Sequence, residues 1–207
     1  MAAGKQEEAF SSLKDKNLLQ YLLRLFTDII KKMKDSLNIA IAGATGYVGI
    51  ELIKILSQHS NAKILYLCAS KSIGKKINTF DKAISKKRLP KISKIQNINW
   101  SKVNILFTAL PNGEAQKTAK ILPSHVKLID LSGDFRLKNF ELYKKWYGIK
   151  HNAKELIKKS IYAITEFSRD NIGKYKIISC PGCYPTSVQI PLIPLIQKRM
   201  INLSNII

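Results

Sequence analysis

One seven-residue run, GATGYVG at 43–49, limits what this chain can fold into more than any other feature. It follows the apolar stretch LNIAIAG (37–43). It leads into residues 47–58, where Val48, Leu52, Ile55 and Leu56 recur at helical spacing. A short apolar run bounded by glycine reads as a buried strand, and the period after it reads as a helix. Between such elements, spaced glycines let the backbone turn tightly and approach an anion held at the helix N-terminus. The spacing is G-x-x-G-x-x-G, not the G-x-G-x-x-G of most dinucleotide folds, but the physical parts are the same. Gly43, Gly46 and Gly49 are therefore read as a dinucleotide-binding loop, against the alternative of a merely structural turn.

The rest of the chain repeats the alternation. AKILYLCAS (62–70), VNILFTAL (103–110), HVKLIDLSG (125–133) and YKIISC (175–180) are further candidate buried strands. The segment PNGEAQKTAKIL supplies a turn and a helix after the third strand of the series. Strand–helix–strand spacing of this kind implies an α/β fold, a doubly wound parallel sheet with right-handed crossovers. The polar and aromatic stretch that begins DFRLKNFELYKKW is expected to be irregular and helical. YPTSVQIPLIPLIQKRM reads as an apolar helix. Pro185 suits its first turn, whereas Pro191 and Pro194 should kink or shorten it. Residues 13–33, with Leu18, Leu22, Leu25, Phe26, Ile29 and Met33 in helical register, form an amphipathic helix within an extension spanning 1–36. The dinucleotide-binding domain is expected over 37–180.

The 207 residues are 45% apolar, as in an ordinary globular protein. A net charge of +21 favours polyanions or anionic substrates. Residues 71–102 hold ten basic residues against the single acid Asp81. That run reads as a solvated lysine-rich surface, since no nucleic-acid-binding motif accompanies it. Nucleic acid is thus not an expected partner. Three cysteines with one close pair do not make a disulfide framework, and a reducing cytoplasm fits them better. Residues 1–12 lack the apolar core of a signal peptide, and no apolar run reaches membrane-spanning length.

Two stretches suggest chemistry. Sites that prefer NAD place an acid at the end of the second strand to hold the ribose hydroxyls. Here the sequence reads CASKSIGKK (68–76), with no acid. Ser70 and Lys71 offer a hydroxyl and a cation suited to a 2′-phosphate, so NADP(H) is favoured. The second stretch is CPGCYPT, which puts Cys183 just after a strand and at the head of a helix. Unpaired amides and the helix dipole there favour the thiolate, the form that acts as a nucleophile. Two other readings remain open: a redox pair of Cys180 and Cys183, and an inert buried thiol. A zinc site is not expected from one C-x-x-C alone, and no other metal site is indicated.

Taken together, IAGATGYVGIELIKIL, FTALPNGEA, LIDLSGDFRL, WYG and CPGCYPT resemble the semialdehyde dehydrogenase group, specifically its N-acetyl-γ-glutamyl-phosphate reductases. The likeness runs over about residues 37–207. It implies a Rossmann-type NADP-binding domain followed, over 181–207, by the start of an α+β catalytic and dimerisation domain. It also implies NADPH-dependent reduction of a small acyl phosphate through a Cys183 thioester, as a cytoplasmic homo-oligomer. By matching position, Gly43, Thr45, Gly46, Tyr47, Val48 and Gly49 would form the cofactor loop. Ser70 and Lys71 would lie at the 2′-phosphate, and Leu110, Pro111 and Gly113 on the nicotinamide side. Asp134, Arg136 and Glu166 fall in motifs near the substrate.

Two departures from the family accompany the likeness. Cys180 stands where the family usually has Asn, which opens a disulfide with Cys183 under oxidation. Family members also continue beyond INLSNII into a domain that supplies a catalytic His. None of His59, His125 and His151 fits that place, and His151 reads as structural. The expectation is cofactor binding with little turnover. A non-catalytic NADP-binding module and an aspartate-semialdehyde dehydrogenase-like reductase are the alternatives.

Overall fold

Leu37–Ala42 form strand β1, whose side chains alternate between two cores. Ile39 and Ile41 pack with Ile53, Ile64, Leu67, Ile77 and Ile92 on one face. Ala40 and Ala42 pack with Leu106, Ala115, Ala119, Leu128 and Ile177 on the other. A strand apolar on both faces needs cover on both, and that requirement makes the sheet doubly wound. The computed structural model of the chain describes residues 36–84 and 89–205. The amphipathic helix expected over 13–33, and all but the last residue of the extension assigned to 1–36, lie outside the described residues.

After β1 come helix α1 (Tyr47–Gln58), β2 (Ala62–Cys68), β3 (Ile92–Ser93), β4 (Ile105–Thr108) and α2 (Glu114–Ile121). Then follow β5 (Lys127–Asp130), α3 (Phe140–Tyr147), β6 (Ser160–Tyr162), α4 (Thr165–Ile172), β7 (Ile177–Ser179) and α5 (Cys183–Gln197). The strands make one seven-stranded sheet in the order β3-β2-β1-β4-β5-β7-β6. Every pairing is parallel. All strand ends therefore open onto the same edge of the sheet. That edge receives the glycine loop, the turn after β4, the LSGDFR turn after β5 and the CPGC turn after β7.

The sequence pattern shows five of these strands. The other two, β3 and β6, are two and three residues long and lie at the two edges. The final helix contains both prolines. It is one continuous span, Cys183–Gln197, that neither Pro191 nor Pro194 ends. Each proline removes one backbone donor. Three residues apart, the two share a helix face, so the lost bonds fall on one side. Lys198 closes the end by donating its backbone N–H to Pro194 O at 3.0 Å. None of the fifteen residues of α5 is buried, although most are apolar.

Candidate active site

The glycine loop is shaped by two close backbone approaches. Gly43 sits at φ +87°, the left-handed region open mainly to glycine. A Cβ there would stand 2.7 Å from the carbonyl carbon of Ala109, so β1 and β4 could not converge at their ends. A Cβ on Gly49 would overlap the Gly43 carbonyl oxygen, 2.9 Å from its carbon and 3.0 Å from Ala44 Cα. Gly46 is different: a Cβ would make only an ordinary contact, 3.5 Å from Gly43 O. Gly46 serves as the N-cap of α1, and the first internal bond of that helix runs from Ile50 N to Gly46 O at 2.9 Å. The amides of Tyr47, Val48 and Gly49 precede that bond and are free of it, as at any helix start. They form a ready anion seat.

Above this seat lies a cleft of about 790 Å³, within the range of small-molecule and cofactor sites. Gly43, Thr45 and Gly46 line it, with Ala69 and Ser70 from the end of β2 and Leu110 and Pro111 from the end of β4. The cleft, the amide seat and the absence of side chains at 43 and 49 together fit a dinucleotide laid across the strand ends. Tyr47 and Val48 do not line the cleft. Their side chains are exposed, Tyr47 almost completely, so any role there falls to their backbone amides. Lys71 and Gly113 are also absent from the lining, whereas Lys94 and Gln96, from just beyond β3, are part of it.

Gly113 has another part. At φ +92° it is the N-cap of α2, and its amide donates to Asp134 Oδ1 at 2.7 Å. Asp134 is wholly buried. Its carboxyl group also accepts from Gln116 N at 3.1 Å, Gln116 Nε2 at 3.1 Å and Tyr143 Oη at 2.6 Å. Burial, and then Asp134 itself, push the Tyr143 phenol well above its usual pKa. The motif suggests that Asp134 is near substrate. In the structure it caps α2, enclosed, with Oδ1 accepting three hydrogen bonds and Oδ2 one. His151 belongs to the same core. It is buried against Phe135, Phe140 and Tyr143. Ala153 N donates to its Nδ1 at 3.2 Å, so Nε2 carries the proton and donates to Asp134 O at 2.8 Å. Burial holds its pKa below the ordinary 6.5. This is a structural histidine, as its sequence context suggested.

Arg136 braces the cysteine turn. Its Nε donates to Cys180 O at 2.9 Å and its Nη2 to Leu131 O at 3.0 Å. Its Nη1 faces Gly182, 3.1 Å from where a Cβ would be. Cys180 in turn donates its N–H to Asp130 O at 2.8 Å. Burial, with a smaller push from Asp130, raises the Cys180 thiol to about 11, and Arg136 opposes this. Gly182 is the N-cap of α5 in extended geometry, and Cys183 is the first residue of that helix, exposed. All three cysteines are free thiols. Glu166 stands exposed in the first turn of α4, beyond the edge strand β6. Among the described residues no hydrogen bond or ion pair ties it to the cleft or to Cys183.

The order of the strands puts these parts in a row. Strands lie about 4.8 Å apart, so β3 to β4 spans roughly 14 Å and β4 to β7 roughly 10 Å. The cleft covers the first interval, and Cys183 stands at the end of the second. Sequence reasoning missed Lys94, Gln96 and Asn112 on the cleft and Gln116 beneath it. For Lys94 and Gln96 no local signal existed, because β3 is too short to show a period. Among the described residues no cluster of His, Cys, Asp and Glu is fit to hold a metal ion. No described helix is long and apolar enough to cross a membrane.

Comparison with known proteins agrees with this geometry. A family model described as semialdehyde dehydrogenase, NAD binding domain, matches residues 38–175. The N-acetyl-gamma-glutamyl-phosphate reductase of Ehrlichia canis is 43% identical over 176 residues, covering 84% of this chain and 51% of that protein. A probable chloroplastic N-acetyl-gamma-glutamyl-phosphate reductase of Oryza sativa subsp. japonica is 37% identical, covering 85% of this chain and 42% of that one. The chain thus spans about half the length of the curated relatives it matches. Among solved structures, aspartate semialdehyde dehydrogenase II from Vibrio cholerae superposes with a TM-score of 0.59 at 20% identity, over 79% of this chain and 43% of that one. That likeness is one of fold.

Proposed function

The chain belongs to the semialdehyde dehydrogenase family, whose NAD-binding domain it carries, and on that premise we propose that the whole protein reduces N-acetyl-γ-glutamyl phosphate to N-acetylglutamate semialdehyde, with NADPH as reductant and release of phosphate. The observation that carries this reading is the exposed Cys183 at the start of α5, on the same sheet edge as the dinucleotide cleft. The relatives' names choose the substrate. The fold alone would serve an aspartate-semialdehyde dehydrogenase equally well.

In this reading the Cys183 thiolate adds to the acyl-phosphate carbonyl, and phosphate leaves with the bonding pair, giving a thioester on Sγ. Bound nicotinamide supplies the hydride that takes the thioester to the aldehyde. Cys183 leaves as thiolate and is ready again. Arg136 fixes the turn that carries the nucleophile through its bonds to Cys180 O and Leu131 O, and so holds Sγ where the carbonyl must arrive. The Gly43–Gly49 loop and the amides of Tyr47, Val48 and Gly49 seat the pyrophosphate. Leu110 and Pro111 line the side toward Cys183. No acid follows β2, which favours NADPH over NADH.

We assign 37–180 to the dinucleotide domain and 181–207 to the opening of the catalytic domain. Helix α5, apolar and unburied, is the surface on which that domain and a second subunit pack. Three free thiols suit a reducing cytoplasm. The test is mass spectrometry of the whole protein after exposure to N-acetyl-γ-glutamyl phosphate without cofactor. An N-acetylglutamyl adduct on Cys183 with matching phosphate release supports the reading. An adduct elsewhere, or phosphate release from Cys183→Ala at the same rate, refutes it.

A further inference from the structure

We propose that Lys94, not Lys71, is the cation that selects NADPH by holding its 2′-phosphate. The inference rests on the dinucleotide reading of the cleft and assigns a residue to its specificity. Among the described residues Lys94 is the only cationic one that lines the cleft, and Lys71 does not line it. The placement follows from strand pairing. Cys68 lies opposite Ser93 in the β2–β3 ladder, and Ala69 N donates to Ser93 O at 3.2 Å. Lys94, the next residue, therefore leaves the sheet beside Ala69 and Ser70, at the same edge. Ser70 and Gln96 line the cleft with it and add uncharged hydrogen-bonding groups. This is the end of the site where the adenosine ribose lies in folds of this kind.

Lys71, by contrast, enters a turn outside the cleft lining. Ser72 follows at φ +64°, Lys75 N donates to Ser72 O, and the chain then pairs back onto Ile92 through Gly74 and Lys75. Among the described residues Lys94 makes no ion pair, so its charge is not already spent. Among the described residues the one acid in the lining, Glu114, sits at the β4 side and is bound to Lys117. The field at the β2–β3 end is thus positive, and a phosphate gains there what a bare ribose hydroxyl does not.

The test is equilibrium binding, without turnover. NADPH, NADH, adenosine 2′,5′-bisphosphate and 5′-AMP are titrated against wild type, Lys94→Ala and Lys71→Ala, with circular dichroism as the check of folding. Wild type should prefer NADPH to NADH and the bisphosphate to AMP. Lys94→Ala should weaken both 2′-phosphorylated ligands by about tenfold or more and change NADH and AMP by less than about twofold. Lys71→Ala should change all four by less than about twofold. Lys94→Gln serves if the alanine variant misfolds. If Lys71→Ala abolishes the preference and Lys94→Ala keeps it, the assignment is overturned while the NADPH reading stands. If wild type shows no preference between NADPH and NADH, the NADPH reading falls and the assignment with it.

Discussion

Replacing Gly49 by alanine sets two effects of opposite sign against each other. Gly49 lies inside α1, where alanine is favoured by about 1 kcal/mol on helix propensity alone. The structure predicts that this gain is lost. The new Cβ would stand 2.9 Å from the Gly43 carbonyl carbon and 3.0 Å from Ala44 Cα, and it would overlap Gly43 O. Carbon atoms rest about 3.5–4.0 Å apart, so the overlap is roughly 0.5–1 Å against the two carbons, with the Gly43 oxygen closer still. All three are backbone, so no side chain can rotate aside, and α1 must move off the loop. Overpacking of this kind costs about 1–3 kcal/mol, which equals or exceeds the propensity gain. Displacing the helix start also moves the Tyr47–Gly49 amides from their seat, so NADPH affinity should fall by at least about tenfold. The assays are thermal unfolding and fluorescence titration with NADPH, using Gly46→Ala as the comparison. Gly46→Ala adds only an ordinary 3.5 Å contact and should leave the melting temperature within about 2 °C. A Gly49→Ala protein that melts higher than wild type and binds NADPH normally would refute the reasoning.

Asp134→Ala should cost about 3 kcal/mol or more in urea unfolding, because it removes the acceptor of the buried Gln116 amide and Tyr143 hydroxyl and of the part-buried Gly113 amide, leaving Gln116 Nε2 only its bond to Tyr143 Oη. A loss under 1 kcal/mol with impaired substrate binding would restore Asp134 to the substrate. At pH 8, iodoacetamide should modify Cys183 first, since it alone is exposed, whereas Cys68 and Cys180 are held at about 11 by burial. Only about one in a thousand of those two thiols is then thiolate. Peptide mapping that finds Cys180 labelled as fast as Cys183 would contradict the packing. His151 predicts a pH dependence. Its folded-state pKa lies below the ordinary 6.5, so above that pH neither state binds the proton and nothing is lost. As pH falls below 6.5 the unfolded chain protonates first, and stability declines until the pH has passed through the folded-state pKa. Urea midpoints between pH 7.5 and about 5 should therefore fall more steeply for wild type than for His151→Gln. Parallel slopes would show that His151 titrates freely.

The sheet was legible wherever a strand was a continuous apolar run, as in Leu37–Ala42 and Ala62–Cys68. Helix α1 was legible at both ends, because a glycine opens it and its apolar positions recur to Leu56. Ile92–Ser93 and Ser160–Tyr162 are too short to carry a period and exist as strands only through their neighbours. Pro191 and Pro194 are poor markers of a helix end here, because the helix continues past both to Gln197 although each lacks a backbone donor. The motif containing Asp134 and Arg136 was legible as important, but sequence does not show which way a side chain faces. One caps a helix in the core and the other braces the cysteine turn. Lys94 is 24 residues from Ser70, and only the β2–β3 pairing makes them neighbours.

The central claim is that Cys183 carries the acyl group and that the dinucleotide cleft delivers the reductant to it. A single-turnover experiment tests both halves together. The whole protein is first acylated by N-acetyl-γ-glutamyl phosphate and freed of excess substrate. NADPH is then added while its absorbance and the Cys183 adduct are followed. The account predicts that the adduct disappears in step with an equal amount of NADPH and that the aldehyde appears. An adduct that persists, or that hydrolyses to N-acetylglutamate with no NADPH consumed, would contradict it.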